Sequence, residues 1–129
     1  MGVTQTILLP AGSLDGLAAN CTGNQDCHEF AKQFPGQYFF GANEVPNLPG
    51  ARQELEKYLK LGGIIIAEQK FHLDCDSPAI EMVAEIAQEF RVPVLMHFQH
   101  ETYNLRIERM HKTLEKFPKV NFIGHAQTW

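Results

Sequence analysis

Five short runs rich in β-branched, aliphatic and aromatic residues limit what this chain can fold into. They occupy positions 4–9, 37–42, 63–67, 92–96 and 120–123. Several are apolar throughout instead of alternating, the pattern of parallel strands covered on both faces. Their centres fall roughly 30 residues apart, the length of one βα unit. Helical stripes fill the gaps. Cys27, Phe30, Ala31 and Phe34 follow i, i+3, i+4, i+7 spacing, and Pro35-Gly36 ends the run. Ala51, Leu55, Tyr58 and Leu59 form a second stripe, with Gly62 suited to the left-handed position past its end. Ser77-Pro78 opens a third helix as N-cap and first-turn proline. Ile107, Met110, Leu114 and Phe117 make a fourth, stopped by Pro118. Alternating strands and helices predict an α/β domain with a parallel sheet.

The chain has 129 residues, enough for one domain, and 44% of them are hydrophobic, enough for a core. Its formal net charge of −4, with no basic cluster, argues against nucleic acid or an anionic membrane as partner. No segment approaches the roughly 20 apolar residues that span a bilayer, and the N-terminus lacks a signal-peptide pattern. Cys21, Cys27 and Cys75 form neither C-x-x-C spacing nor an even framework, so reduced thiols in a cytoplasmic protein are expected. The connection over residues 11–24, with Gly12, Ser13, Asp15 and Gly16, is either a substrate-facing loop or an idle insertion.

The chemistry gathers where strands end. The third run leads into Glu68-Gln69-Lys70-Phe71-His72, the fourth into His97-Phe98-Gln99-His100 and the fifth into Gly124-His125. In parallel α/β folds the carboxyl ends of strands form one rim, and ligands bind there. Neighbouring strands lie about 4.8 Å apart, so side chains ending adjacent strands can share one ion. Imidazole suits zinc and other first-row metals. His97 and His125 are therefore candidate metal ligands, with Glu68 or Lys70 beside them. A single His ending a strand is more often a structural residue than a ligand; two at matched positions weigh against that reading. His72 and His100 read as substrate contacts or as surface loop residues. His28 and His111 fall in helical runs and are expected to be solvated.

Val94-Leu95-Met96-His97, Asn121-Phe122-Ile123-Gly124-His125-Ala126 and Lys70-Phe71-His72 resemble strand ends of the amidohydrolase-related family. These are distorted TIM barrels that include metal-dependent hydrolases and nonoxidative decarboxylases. The resemblance implies that residues 1–129 are a partial (β/α) barrel, spanning barrel strands two to six, with helices on its outer face. It implies a divalent metal, zinc foremost, held by His97, and a small-molecule substrate. His125 would bind metal or orient the attacking water, and Glu68 or Lys70 would take the strand-four role. The family's His-x-His of strand one and Asp of strand eight have no counterpart here. That implies an incomplete, inactive fragment whose open strand edges and apolar inner face, around Ile65, Val94 and Met96 or their neighbours, favour homo-oligomers. The other reading is a doubly wound, flavodoxin-like binding domain with helices on both faces. Pro10-Ala11-Gly12-Ser13 lacks the Gly-rich phosphate loop such a domain uses.

Overall fold

The computed structural model of the chain describes residues 2–14, 20, 22–127 and 129. Among the described residues, five strands, β1 (Thr6–Leu8), β2 (Tyr38–Phe40), β3 (Ile66–Gln69), β4 (Val94–His97) and β5 (Phe122–His125), alternate with four helices. These are α1 (Asn24–Gln33), α2 (Ala51–Lys60), α3 (Pro78–Phe90) and α4 (Met110–Lys116), the last entered through a 3₁₀ turn at Ile107–Arg109. Every strand pairing is parallel. The strands form two small sheets, β1-β2 and β3-β4-β5. A parallel bridge between Ala42 and Ile66 links them, so the strands follow one another in sequence order. Among the described residues no helix is long and apolar enough to cross a membrane.

The last three strands begin two or three residues later than the sequence runs suggest, because those residues first close the preceding helices. Gly63 N–H donates to Tyr58 O, Val92 N–H to Ala87 O and Val120 N–H to Phe117 O, at 3.0, 3.0 and 3.1 Å. An amide spent on a helix end cannot join a strand ladder. The expected stops and starts are present. Gly62 adopts φ +106° after α2, and Ser77 Oγ accepts from Ile80 N–H at the start of α3.

Strand parity separates a covered face from an open one. Leu8, Phe40, Ile66, Val94, Met96 and Phe122 pack with the helices in one core around Leu55, Tyr58, Ile80 and Val83. The alternate residues face away. Ile7 and Ile123 are 44% and 46% exposed, and Leu95 is half-buried. Ile65, Val94 and Met96, expected at an open inner face, are buried; their neighbours carry that face instead. His97 and His125 continue the parity of Leu95 and Ile123.

A chain of buried amides fastens the carboxyl ends of the strands. Asn43, just past β2, donates from Nδ2 to Pro10 O at 3.0 Å and Glu68 O at 2.9 Å. Its Oδ1 accepts from Gln69 Nε2 at 2.6 Å. Its own peptide group is gripped at both ends by Asn24. Asn104 Nδ2 donates to Gln69 O and His97 O, at 2.6 and 2.8 Å. All four amide side chains are buried. The adjoining Glu44 holds the start of the first loop, its Oε1 accepting from Ser13 N–H, Ser13 Oγ–H and Val45 N–H. Asp15, Gly16 and Cys21 of that loop lie outside the described residues.

Truncation of Asn43 leaves Pro10 O, Glu68 O and Gln69 Nε2 without partners. Each unpaired buried group costs on the order of 1–3 kcal/mol, so Asn43→Ala is expected to destabilise the fold by about 3 kcal/mol. Lys60→Ala, which removes only an exposed i,i+4 pair with Glu56, is expected to change it by less than about 0.5 kcal/mol. Urea unfolding of both variants checks the contrast.

Cys75 gives a second test. It is fully buried and its Sγ–H donates to Arg106 O at 2.9 Å. Burial first, then the charge of Asp76, pushes this thiol from an ordinary 9.0 up to about 11. The unfolded thiol therefore ionises first as pH rises. The stability the thiol contributes is intact below pH 9 and declines between 9 and about 11. Unfolding measured across that window is expected to show a shallower decline in Cys75→Ala than in the parent.

Candidate metal centre

His97 and His125 close β4 and β5 and stand opposite each other in register. Their rings are 4.9 Å apart, centre to centre, and nearly perpendicular. Both project from the face away from the helices.

Glu68 reaches them because β3 is irregular. Ile66 pairs with Val94 and Gln69 with Met96, so three steps along β3 match two along β4. Strict alternation from Ile66 would put Glu68 on the helix side. The extra residue returns Gln69 to the core, fully buried, and turns Glu68 toward the histidines. Bulges of this kind re-aim single side chains beside functional sites.

The three side chains converge. Glu68 Oε1 lies 2.8 Å from His97 Nδ1 and also contacts His125 Nε2. The second approach is close in distance but not in hydrogen-bonding geometry, and His125 Nε2 is a buried nitrogen with no hydrogen-bond partner among the described residues. One ligand atom from each of Glu68, His97 and His125 lies within 4.8 Å of the others. Two ligands of one zinc ion stand at most about 4.2 Å apart, given bonds near 2.1 Å. Side-chain rotations would have to adjust these spacings for the three to share one cation. Two imidazoles and one carboxylate form a donor set that zinc and other first-row divalent ions accept. The proximity of these donors, two imidazoles and a carboxylate ending three neighbouring strands, is what such an ion would use, so the residues fit a divalent metal.

Neighbours hold this set in place. His97 Nε2 faces Gln99 Oε1 at 3.3 Å. With its hydrogen on Nε2, His97 donates to Gln99 and directs the Nδ1 lone pair to the side shared with Glu68 and His125. A hydrogen bond of this kind on the far ring nitrogen fixes the tautomer of ligating histidines. Tyr103 packs edge-on to His97 with centroids 5.6 Å apart. The backbone carbonyls of Glu68 and His97 are the ones that Asn43 and Asn104 hold.

The other sequence candidates lie elsewhere. Lys70, a rival to Glu68 on sequence, is outside the cluster, its Nζ 5.1 Å from the centre of the Tyr103 ring. His72 is exposed, with Nδ1 at 2.9 Å from Thr102 O. His100 is exposed, 3.9 Å from Glu101 Oε1. His111 is exposed as expected. His28, expected to be solvated, is half-buried: it packs edge-on against Phe40 and Tyr58, with Nδ1 buried. Helix α1 turns this residue inward, one position beyond the Cys27 stripe. Gln99 and Tyr103 escaped the sequence reading. Neither carries metal chemistry by itself, and only the position of Gln99 two residues past His97 hints at its role.

No protein-family model, curated protein or solved structure matches this chain.

A cobalt(II) titration followed by visible absorption tests the centre. One ion per chain is expected to bind, and His97→Ala or His125→Ala to abolish binding. Gln99→Ala is expected to keep the stoichiometry and weaken affinity about tenfold, the usual cost of losing a partner of a ligating histidine. Protons compete for the same imidazole and carboxylate atoms, so binding weakens as pH falls.

Proposed function

We propose that this chain is part of a metal-dependent hydrolase of the amidohydrolase kind, its parallel strands a section of a (β/α) barrel. The observation that carries the reading is the meeting of Glu68, His97 and His125 at the carboxyl ends of three neighbouring parallel strands. The open sheet face beside them supports the barrel section, since closure of a barrel covers such a face from the opposite strands.

When bound, a divalent ion supplies Lewis acidity that polarises an ester or amide carbonyl and makes water nucleophilic near neutral pH. Zinc is the ion this donor set favours. His97 holds its place through Gln99, and Glu68 through its bulged backbone. His125 is the more exposed of the two histidines, 42% against 14% for their side chains. That exposure puts its imidazole on the solvent side of the cluster, where it would complete the donor set next to the space open to water and substrate. Lys70 and Tyr103 border the same rim and add a cation and a phenol to the surroundings of the substrate.

The test is turnover of an ester and amide panel by the full natural protein loaded with zinc or manganese. Hydrolysis that disappears on chelation and returns with the ion is expected. Glu68→Gln and His125→Ala are each expected to lower kcat by about 100-fold or more, the scale of a lost proton-transfer or ligand group. Release of carbon dioxide in place of hydrolysis would move the reading to a decarboxylase. Full activity in both variants would remove the centre from the chemistry.

A further inference from the structure

Lys70 follows β3 by one residue. The bulge that turns Glu68 to the open face returns Gln69 to the core, and alternation past it sets Lys70 on the side of Glu68. Phe71 then turns back and is buried. Lys70 is half-buried. Its Nζ stands over the Tyr103 ring, 5.1 Å from the centroid. The same ring packs edge-on against His97, with centroids 5.6 Å apart. One phenol ring therefore separates the ammonium from the metal centre.

The backbone builds this arrangement. Tyr103 N–H donates to Gln99 O and Gln99 N–H to Tyr103 O, at 3.0 and 3.1 Å, across the loop between β4 and α4. That bridge folds Tyr103 back over His97. The next residue fastens the loop to the end of β3: Asn104 N–H donates to Phe71 O at 2.9 Å, and its side chain to Gln69 O. Lys70 lies between those two carbonyls in sequence. The spacing of ammonium, ring and imidazole is thus set by bonds that use none of the three side chains. A cation over an aromatic face is attracted by the ring quadrupole, which holds the ammonium at the rim without neutralising it. Glu68, two residues back on the same side, is engaged with His97 and His125. With a divalent ion on those three, two positive centres would flank Tyr103 in a chain of net charge −4.

We infer that Lys70 anchors an anionic group of the substrate, so that the site takes esters or amides carrying a carboxylate a few carbon atoms from the scissile carbonyl. The carbonyl goes to the ion, the linking carbons lie along the phenol of Tyr103, and the carboxylate accepts a charge-assisted hydrogen bond from Lys70 Nζ. The ammonium is a compact point charge on a flexible stem, so it follows the carboxylate over a range of linker lengths. The inference rests on the metal centre of the proposed function and names the substrate of that same site. Lys70 itself is no ligand of the ion, so its part can fail while the centre stands.

The experiment loads the full natural protein with cobalt(II) and titrates it with two hydroxamates, which chelate the ion and shift its visible spectrum. One is succinic acid monohydroxamate. The other is its methyl ester, which carries the same chelating group but lacks the carboxylate charge. The acid is expected to bind about tenfold tighter than the ester, the scale of one hydrogen bond between charged groups. Lys70→Met is expected to erase that advantage while cobalt stoichiometry and ester affinity stay as in the parent, which also shows that the variant is folded. Lys70→Arg, which keeps the charge, is expected to retain most of the advantage. Equal affinity of acid and ester in the parent, or an advantage that survives Lys70→Met, would overturn the anchor and leave the metal centre. Failure to bind cobalt would overturn the centre and the anchor together. A Lys70-dependent acid preference with no ester or amide turnover under any metal would uphold the anchor and overturn the hydrolase.

Discussion

The buried amides of Asn24, Asn43, Gln69 and Asn104 tie together segments that the hydrophobic core does not reach. The core lies between the helices and one face of the strands, and its forces are non-directional. It can press the sheets against the helices but cannot fix how far each strand end extends past its neighbour. Directional bonds do that. Asn43 spans the ends of β1, β2 and β3, and Asn104 spans those of β3 and β4. Each bond joins residues remote in sequence or carbonyls on different strands, so the rim is positioned as a unit. Charged groups in these places would cost several kcal/mol in desolvation; amides carry both donor and acceptor without that cost.

On this frame the site is assembled by parity. His97 and His125 follow the open-face alternation of their strands, while Glu68 joins them only through the extra residue in β3. The centre thus combines two candidate ligands given by regular structure with one given by a departure from it. Regular strands hold the imidazoles rigidly, and the bulge supplies the carboxylate at the angle that a flat ladder would deny it.

Much of the architecture was legible in the sequence. Apolar runs at βα spacing, Ser77-Pro78, Gly62 and Pro118 announce strands, caps and stops through local rules, and the matched histidines announce a rim. What local rules do not carry is long-range pairing. The Asn43 bonds link positions 19 to 33 residues apart, and nothing in the neighbourhood of an asparagine marks it as a hub. The side of the sheet taken by Glu68 was equally hidden, because period-two reasoning fails across a bulge; this is also why Lys70 stood level with Glu68 until the strands were placed. Strand starts were misjudged for a related reason. The runs at 63–65, 92–93 and 120–121 look like strand, yet helix ends claim amides among them first. His28 is half-buried where solvation was expected, because a histidine beside an apolar stripe gives no sign of whether aromatic rings will pack against it.

The amide frame has one further consequence, for the kinetics of metal exchange. Carboxamides do not titrate over the range in which histidines and carboxylates take up protons. Acid strong enough to displace a divalent ion held by Glu68, His97 and His125 would therefore leave Asn43 and Asn104 bonded as before, and the strand ends would keep their spacing. The emptied centre stays shaped for re-entry. Uptake of a divalent ion there would then require ligand deprotonation and ion desolvation but no refolding step, so that loading and unloading would trace the same pH curve in both directions.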